Sequence, residues 1–227
     1  MAVTAPQSFE EIISRRAESK NFSVIFYFFQ INHPEIIFLQ KGIKIPGKKW
    51  YNFSNKTFRE IFMKRILVIG GNGSGKSTFS KKLGEKTGLP VVQLDKIFWR
   101  ANWEYISREE FDVLLENELK KEEWIIDGNF ERTLEERMKF CDTVFYFDFS
   151  TVQCLFGVTE RVLKNYGKTR EDMGGNCPER FDPEFYKAIL RFNKKNRPKT
   201  KALLEKYKPD VIVFKNRKQA RDFFNTL

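Results

Sequence analysis

The stretch GGNGSGKST at residues 70–78, directly behind the apolar run RILVIG, constrains the fold of this 227-residue chain more than any other feature. Gly70-x4-Gly75-Lys76-Ser77 fits the GxxxxGK[ST] pattern, in which a strand turns through glycines into a helix. Phosphate oxygens have to be met at close range by backbone N–H groups, and glycine allows that approach with no side chain in the way. The helix that follows turns its positive end to the anion. Gly70, Gly71, Asn72, Gly73, Ser74, Gly75, Lys76, Ser77 and Thr78 are therefore the expected cradle of a nucleoside triphosphate, ATP with Mg²⁺. In it Lys76 reaches the β- and γ-phosphates and Ser77 offers its hydroxyl to the metal.

From Lys64 onward, apolar strands alternate with amphipathic helices, the pattern of a parallel α/β sheet. RILVIG leads into a helix over about 75–87, which Gly88-Leu89-Pro90 ends. The strand VVQLD follows. The next helix starts near Ser107, where Ser-x-x-Glu to Glu110 fits a capping box. Then come strand WIIDG, helix ERTLEERMKF, strand TVFYFDF and a helix over 151–165. The loop GKTREDMGGNCPER, a long helix over 183–207, strand DVIVFK and a closing helix over 217–225 complete the chain. Residues 1–62 read differently. Only PQSFEEIISRRAES there has a helical spacing, and Pro34 and Pro46 interrupt the rest, which follows no clean period. Two parts are thus expected: 1–62, poorly ordered or an over-extended reading of the gene, and 63–227, the folded domain. The rival for 1–62 is a genuine N-terminal module docked on the sheet edge.

The three cysteines, Cys141, Cys154 and Cys177, form no CxxC pair, and His33 is the single histidine. Structural zinc and a disulfide framework are not expected, which points to a reducing, cytoplasmic setting. No apolar run reaches the roughly 18 residues that span a bilayer, so no membrane partner is expected. The net charge of +11 attracts polyanions. Residues 64–227 hold 32 basic and 25 acidic residues, and several of those cations are wanted at the phosphate site. Nucleic acid is a possible partner, but no motif with a defined docking geometry indicates it.

Three acids stand at or near the ends of predicted strands, the edge where open parallel sheets bind ligands. Asp95 and Asp127 are placed to hold Mg²⁺ or to orient an acceptor hydroxyl. Asp148 fits the N-cap of the next helix better. Trp99 and Trp103 either wall a flat acceptor pocket or pack a lid. Arg132, in the turn after Asp127, can grip a second phosphate or a carboxylate. Arg161, Lys164, Lys168, Arg170 and Arg180 cluster around Gly167, Gly174 and Gly175. Cations in a loop that closes suit a transferring phosphoryl group shielded from water. Cys177 in that loop reads as a packing residue, since no histidine is there to activate it.

The ordered set ILVIGGNGSGKST, LDKIFW, WIIDGNFERT, RVLKNYGKTREDM and CPERFD resembles the DNA topology modulation protein family, a branch of P-loop proteins related to adenylate and shikimate kinases. The resemblance covers about 64–227. It implies a three-layer α/β/α P-loop NTPase fold, with a five-stranded parallel sheet in the order 2-3-1-4-5 and a small mobile lid. DGNFERT is similar to the DGFPRT of adenylate kinases with one residue more. That implies a magnesium and phosphate role for Asp127, and acceptor binding by Arg132. Asp95 falls where shikimate-kinase-like enzymes keep an acid, and Arg161, Arg170 and Arg180 fall in the lid. The expected function is Mg²⁺-dependent transfer of the ATP γ-phosphate to an unidentified small acceptor. Lys76, Arg161, Arg170 and Arg180 would stabilise the transferring charge, Ser77 and Asp127 would hold the metal, and Asp95 with Trp99 would meet the acceptor. The alternatives are a nucleic-acid-associated ATPase that alters DNA topology indirectly and a slow P-loop switch.

Overall fold

The computed structural model describes residues 63–225, together with 37–39, 42–44 and 51–52. The chain divides into two compact units, Met1–Phe62 and Met63–Leu227. In the first, Ile37–Leu39, Gly42–Lys44 and Tyr51–Asn52 pair as a small antiparallel sheet, with Ile37 opposite Lys44 and Gly42 opposite Asn52. The sequence reading found no strand there, because runs of two or three residues are too short to show a period. The expected helix in PQSFEEIISRRAES and the question of the gene start lie outside the described residues.

The second unit is a three-layer α/β/α domain. Its strands are β1 (Arg65–Gly70), β2 (Val91–Gln93), β3 (Trp124–Asp127), β4 (Thr143–Phe147) and β5 (Asp210–Phe214). All pair in parallel in the order β2-β3-β1-β4-β5, with Ile66 beside Ile125 and Thr143, and Thr143 beside Asp210. The helices are α1 (Lys76–Thr87), the short α2 (Leu94–Phe98), α3 (Arg108–Leu119), α4 (Glu131–Phe140), α5 (Thr151–Asn165), α6 (Pro183–Tyr207) and α7 (Arg217–Phe223).

Successive strand residues point to opposite faces, so a sheet covered on both sides reads as unbroken apolar runs. Ile66 and Val68 of β1 go to one core with Phe79 of α1 and Val158 of α5. Leu67 and Ile69 go to the other with Phe111 and Leu115 of α3 and Met138 of α4. Phe79 is the hub of the first core. Its ring lies 4.9 Å from Phe145, 5.3 Å from Phe147 and 5.4 Å from Phe214. That contact anchors α1, and with it the cradle, against β4 and β5. Truncating such a buried ring costs about 3–5 kcal/mol.

Three local expectations change. Ser107 accepts the Glu110 N–H as a cap, but the Glu110 carboxylate turns to Arg100, so only half of the box forms. The reciprocal box is at α5, where Ser150 and Gln153 exchange both bonds. Asp148 therefore does not cap α5. Its buried carboxylate is paired with Arg197 of α6 at 2.6 Å and with Lys215 after β5. Strand β2 ends at Gln93, two residues earlier than VVQLD implied, so Asp95 sits in the first turn of α2.

Candidate active site

The glycines of the cradle have different tasks. Gly70, Gly73 and Gly75 sit at φ 138°, 79° and 95°, in backbone territory that L side chains rarely adopt. At Gly71 the constraint is space, for a Cβ there would lie 2.5 Å from Cys154 Sγ. Helix α5 passes so close beneath the loop that it needs a glycine of its own. A Cβ on Gly157 would lie 2.0 Å from the Gly73 carbonyl oxygen. Lys76 is buried, with its Nζ 3.0 Å from the Gly71 carbonyl, and burial pulls the ammonium below the usual lysine range. Nearby Asp127 and Asp95 oppose that shift.

Two groups from distant parts of the chain hold the cradle in place. The Asn129 side chain accepts the Gly70 N–H at 2.8 Å and donates to the Gly70 carbonyl. Arg217, at the start of α7, pairs with Glu160 of α5 at 2.7 Å and donates to the Gly73 carbonyl at 3.2 Å. Neither residue stood out in the sequence reading. Asn129 lay inside DGNFERT, a motif read for its acid and its arginine. Arg217 lies 144 residues from its partner, with no local signal.

Asp127 ends β3 beside the cradle, with the Ser77 side chain next to its carboxylate. Burial pushes its carboxyl up to about 6, against the pull of Lys76 and Ser77. Its Oδ1 is buried without a hydrogen-bond partner. A solvent-shielded carboxylate oxygen with no donor, beside a serine hydroxyl at a phosphate cradle, fits Mg²⁺. That ion needs one or two protein oxygens and takes its remaining ligands from water and phosphates. Asp95 lies across the same cleft. Burial raises its carboxyl too, and Lys76, Arg170 and Arg161 draw it back.

The turn after Asp127 corrects the sequence reading. Arg132 points away from the cleft into an exposed, two-point ion pair with Asp112 on α3, at 2.5 and 2.8 Å. It does not line the cavity that holds the cradle and Asp95. The arginine that organises this turn is Arg137, fully buried on the inner side of α4. It donates to the carbonyls of Gly128, Asn129 and Phe130 at 2.8, 2.6 and 3.0 Å. Burial lowers its guanidinium to about 9.

The basic loop is built around a carboxylate. Oε1 of Glu179, 3% exposed, receives Nε of Arg161 at 3.1 Å and Nε of Arg170 at 3.0 Å. Arg170 also pairs with Asp172 at 2.5 Å. Arg161, held through Nε, keeps both outer nitrogens for the cleft wall, whereas Arg170 spends one of its two on Asp172. Arg180 lies over the Trp103 ring, 5.7 Å from its centre. Gly174 and Gly175 are not open hinges. A Cβ on Gly174 would lie 2.2 Å from the Trp99 carbonyl oxygen, and one on Gly175 2.3 Å from the Ala101 nitrogen. Trp103 donates its indole N–H to Pro178 at 3.2 Å, Asn102 its backbone N–H to Asn176 at 2.8 Å, and Cys177 its thiol to Arg100 at 2.9 Å. Trp99 and Trp103 thus pack the loop and line the cleft at once. The segment after β2 and the basic loop form one fastened unit. Gly167, at φ 72°, has open space where a Cβ would stand, but its N–H is bonded to the Glu179 carbonyl at 2.9 Å, so it too is tied to the loop.

One open cleft of about 1770 Å³ takes in the cradle from Asn72 to Thr78, Asp95, Trp99, Asp127, Arg161, Arg170 and Arg180. Its size leaves room for two ligands, since small-molecule sites run to roughly 300–1,000 Å³. The strand order and the cradle define a P-loop fold. No family model matches the chain, and neither does any curated protein. The resemblance to the DNA topology modulation family therefore gains no support from either comparison. Among solved structures, the chain is similar to shikimate kinase from Bacteroides thetaiotaomicron. The two are 17% identical, with 70% of this chain and 93% of that one covered and a TM-score of 0.42.

Proposed function

We propose that this chain is a magnesium-dependent phosphotransferase that moves the γ-phosphoryl group of ATP to a small acceptor. The observation that carries the proposal is the buried Asp127, one oxygen of which has no hydrogen-bond partner, beside Ser77 at the mouth of the cradle, with Asp95 and two arginines across the same cleft. A simple phosphate-binding loop needs neither the second acid nor the arginines. Mg²⁺ held by Ser77 and Asp127 would neutralise charge on the β- and γ-phosphates.

The residues divide the work. N–H groups of 71–76 and Lys76 hold the phosphates. Arg161 and Arg170, oriented by Glu179, face the charge that spreads over the γ-phosphoryl group. An acceptor oxygen forms a bond to the γ-phosphorus as the bond to the β–γ bridging oxygen breaks, and ADP leaves. A hydroxyl acceptor gives its proton to Asp95, whose carboxyl is raised by burial, the direction that strengthens a general base. A phosphate acceptor has no proton to give, and Asp95 then serves to orient it.

The test is ADP release from MgATP against a panel of nucleosides, nucleoside monophosphates and small hydroxy acids, with Lys76→Ala as control. Acceptor-dependent release that Lys76→Ala abolishes is expected. Release that depends on DNA alone, and falls steeply with salt, would favour the nucleic-acid-dependent ATPase instead.

A further inference from the structure

Helices α5 and α6 share an outward face that the site does not use. Thr159 Oγ1 lies 3.1 Å from Tyr186 Oη, and Asn193 Nδ2 donates to Thr151 Oγ1 at 3.1 Å. These two links run the helices antiparallel. One turn along from Thr159–Tyr186 in one direction stand Phe156 and Leu190; in the other stands Leu163, while Phe181, just ahead of α6, lies with its ring 5.0 Å from that of Tyr186. All four are large and apolar, and all four are exposed: 69%, 57%, 77% and 61%. Val152, at 75%, extends the row. Scattered exposed apolar residues need no explanation, but a contiguous set on two packed helices marks a contact surface.

Charge says what the surface meets. On α6, Lys187, Arg191 and Lys194 stand outside the apolar row by helical spacing, beyond Leu190. Lys187 pairs with Glu184, but among the described residues Arg191 and Lys194 are paired with no carboxylate. A second copy docked by this face about a twofold axis perpendicular to the helices would set basic ridge against basic ridge. The Thr159–Tyr186 pair bridges the seam between the helices. Separately projecting apolar side chains beside a row of cations match a soft, anionic surface, into which each side chain sinks individually while the cations stay among the headgroups.

We infer that the α5–α6 face docks on the surface of an anionic lipid bilayer. The chain would lie on the membrane and not cross it, for no helix among the described residues is long and apolar enough to span one. The sequence had suggested no membrane partner, because only a spanning run was legible there. The inference stands apart from the proposed phosphotransfer and survives if that reading fails.

The experiment is flotation of the full chain with vesicles of phosphatidylcholine, and with vesicles in which one-third of the lipid is phosphatidylglycerol, at fixed salt. Co-flotation with the anionic vesicles only is expected. A basic residue near an anionic surface is worth about fivefold in partitioning, so Arg191→Glu with Lys194→Glu should cut the bound fraction more than about 20-fold. Phe156→Ser with Leu163→Ser should cut it at least tenfold. Both double variants are exposed substitutions, and unchanged thermal melting and MgATP binding establish that they fold. The inference is overturned by equal binding to both vesicles, by no binding, or by binding that either double variant leaves intact. It is overturned equally if the chain is dimeric without lipid and the apolar double variant renders it monomeric.

Discussion

Ser77, in the first turn of α1, stands beside the Asp127 carboxylate at the end of β3, so the two meet at the mouth of the cradle. The acid is not satisfied there, for its Oδ1 is buried without a hydrogen-bond partner. A carboxylate in that state destabilises the ligand-free fold and is relieved when a cation arrives. It is the kind of local cost that functional sites retain.

Asp127→Asn should therefore stabilise the ligand-free protein while removing its response to Mg²⁺. In the folded chain the carboxyl titrates near 6, above its unfolded value of 3.8. The stability it lends is fully present below pH 4 and is lost as pH rises through about 6. Above that, the ionised buried group costs up to about 3 kcal/mol. The variant should melt several degrees higher than the parent at pH 7.5 and at the same temperature at pH 4. An equal gap at both pH values would mean that the acid's ionisation is not the cause.

Gly71 and Cys154 make a matched pair. A methyl group on Gly71 meets the Cys154 sulfur at 2.5 Å, while the next atoms, Cys154 Cβ and a Phe192 ring carbon, are 3.8 and 3.9 Å away. Gly71→Ala should weaken ATP binding at least tenfold by pushing the loop off α5. Adding Cys154→Ala should restore most of it. Cys154→Ala alone should bind ATP normally, with a loss of about 1 kcal/mol in stability for the vacated space. Calorimetric titration with ATP across the four proteins gives the coupling directly.

Two arginines eight positions or fewer from Asn129 should behave in opposite ways. Arg132 is held in a half-exposed ion pair with Asp112, an arrangement typically worth less than about 1 kcal/mol. Arg132→Ala should leave stability and acceptor affinity nearly unchanged. Arg137→Met strips the Gly128 and Asn129 carbonyls of their donor inside the fold and should cost about 3 kcal/mol or more. Denaturant unfolding of the two variants separates them. A loss of acceptor affinity in Arg132→Ala would return that residue to the site.

How much of this was legible follows the range of each interaction. The strands were readable because both faces of β1, β3 and β4 are covered, so their central residues are apolar. The cradle was readable because its chemistry is local: nine consecutive residues make one phosphate site. The acids at strand ends could be placed at the correct edge of the sheet, since strand direction alone fixes that. Asn129 on Gly70 and Arg217 on Gly73 were not legible, being bonds across 59 and 144 residues. Glycine was misleading in the basic loop. Gly174 and Gly175 look like hinges in sequence, yet they are there because backbone passes within touching distance, a demand no neighbouring residue announces. The direction of Arg132 turned on helix phase, for residue 137 faces inward on α4 and 132 outward to Asp112, which its place in the motif does not tell.

Glu179 supplies the sharpest test of the basic loop. It was not among the expected site residues, because an acid amid arginines reads as a surface ion pair. Its position is different: nearly inaccessible, with Nε of Arg161 and Nε of Arg170 both on one oxygen. Without that charge two guanidinium groups face each other. Arg161, already lowered by burial and by the charge of Arg170, loses the carboxylate that offsets both. Glu179→Gln keeps the shape and removes the charge, so the arginines should separate while the cradle, built from other elements, is left alone. Turnover, whether to an acceptor or to water, should fall about 100-fold, the scale expected for charged groups displaced by an ångström. MgATP affinity should stay within about twofold, since Lys76 and the 71–76 backbone provide it. Circular dichroism checks that the variant remains folded, and Glu179→Asp, which restores charge at shorter reach, should recover part of the rate. A fall in ATP affinity as large as the fall in turnover would make Glu179 a general structural support, and undiminished turnover would remove Arg161 and Arg170 from the chemistry.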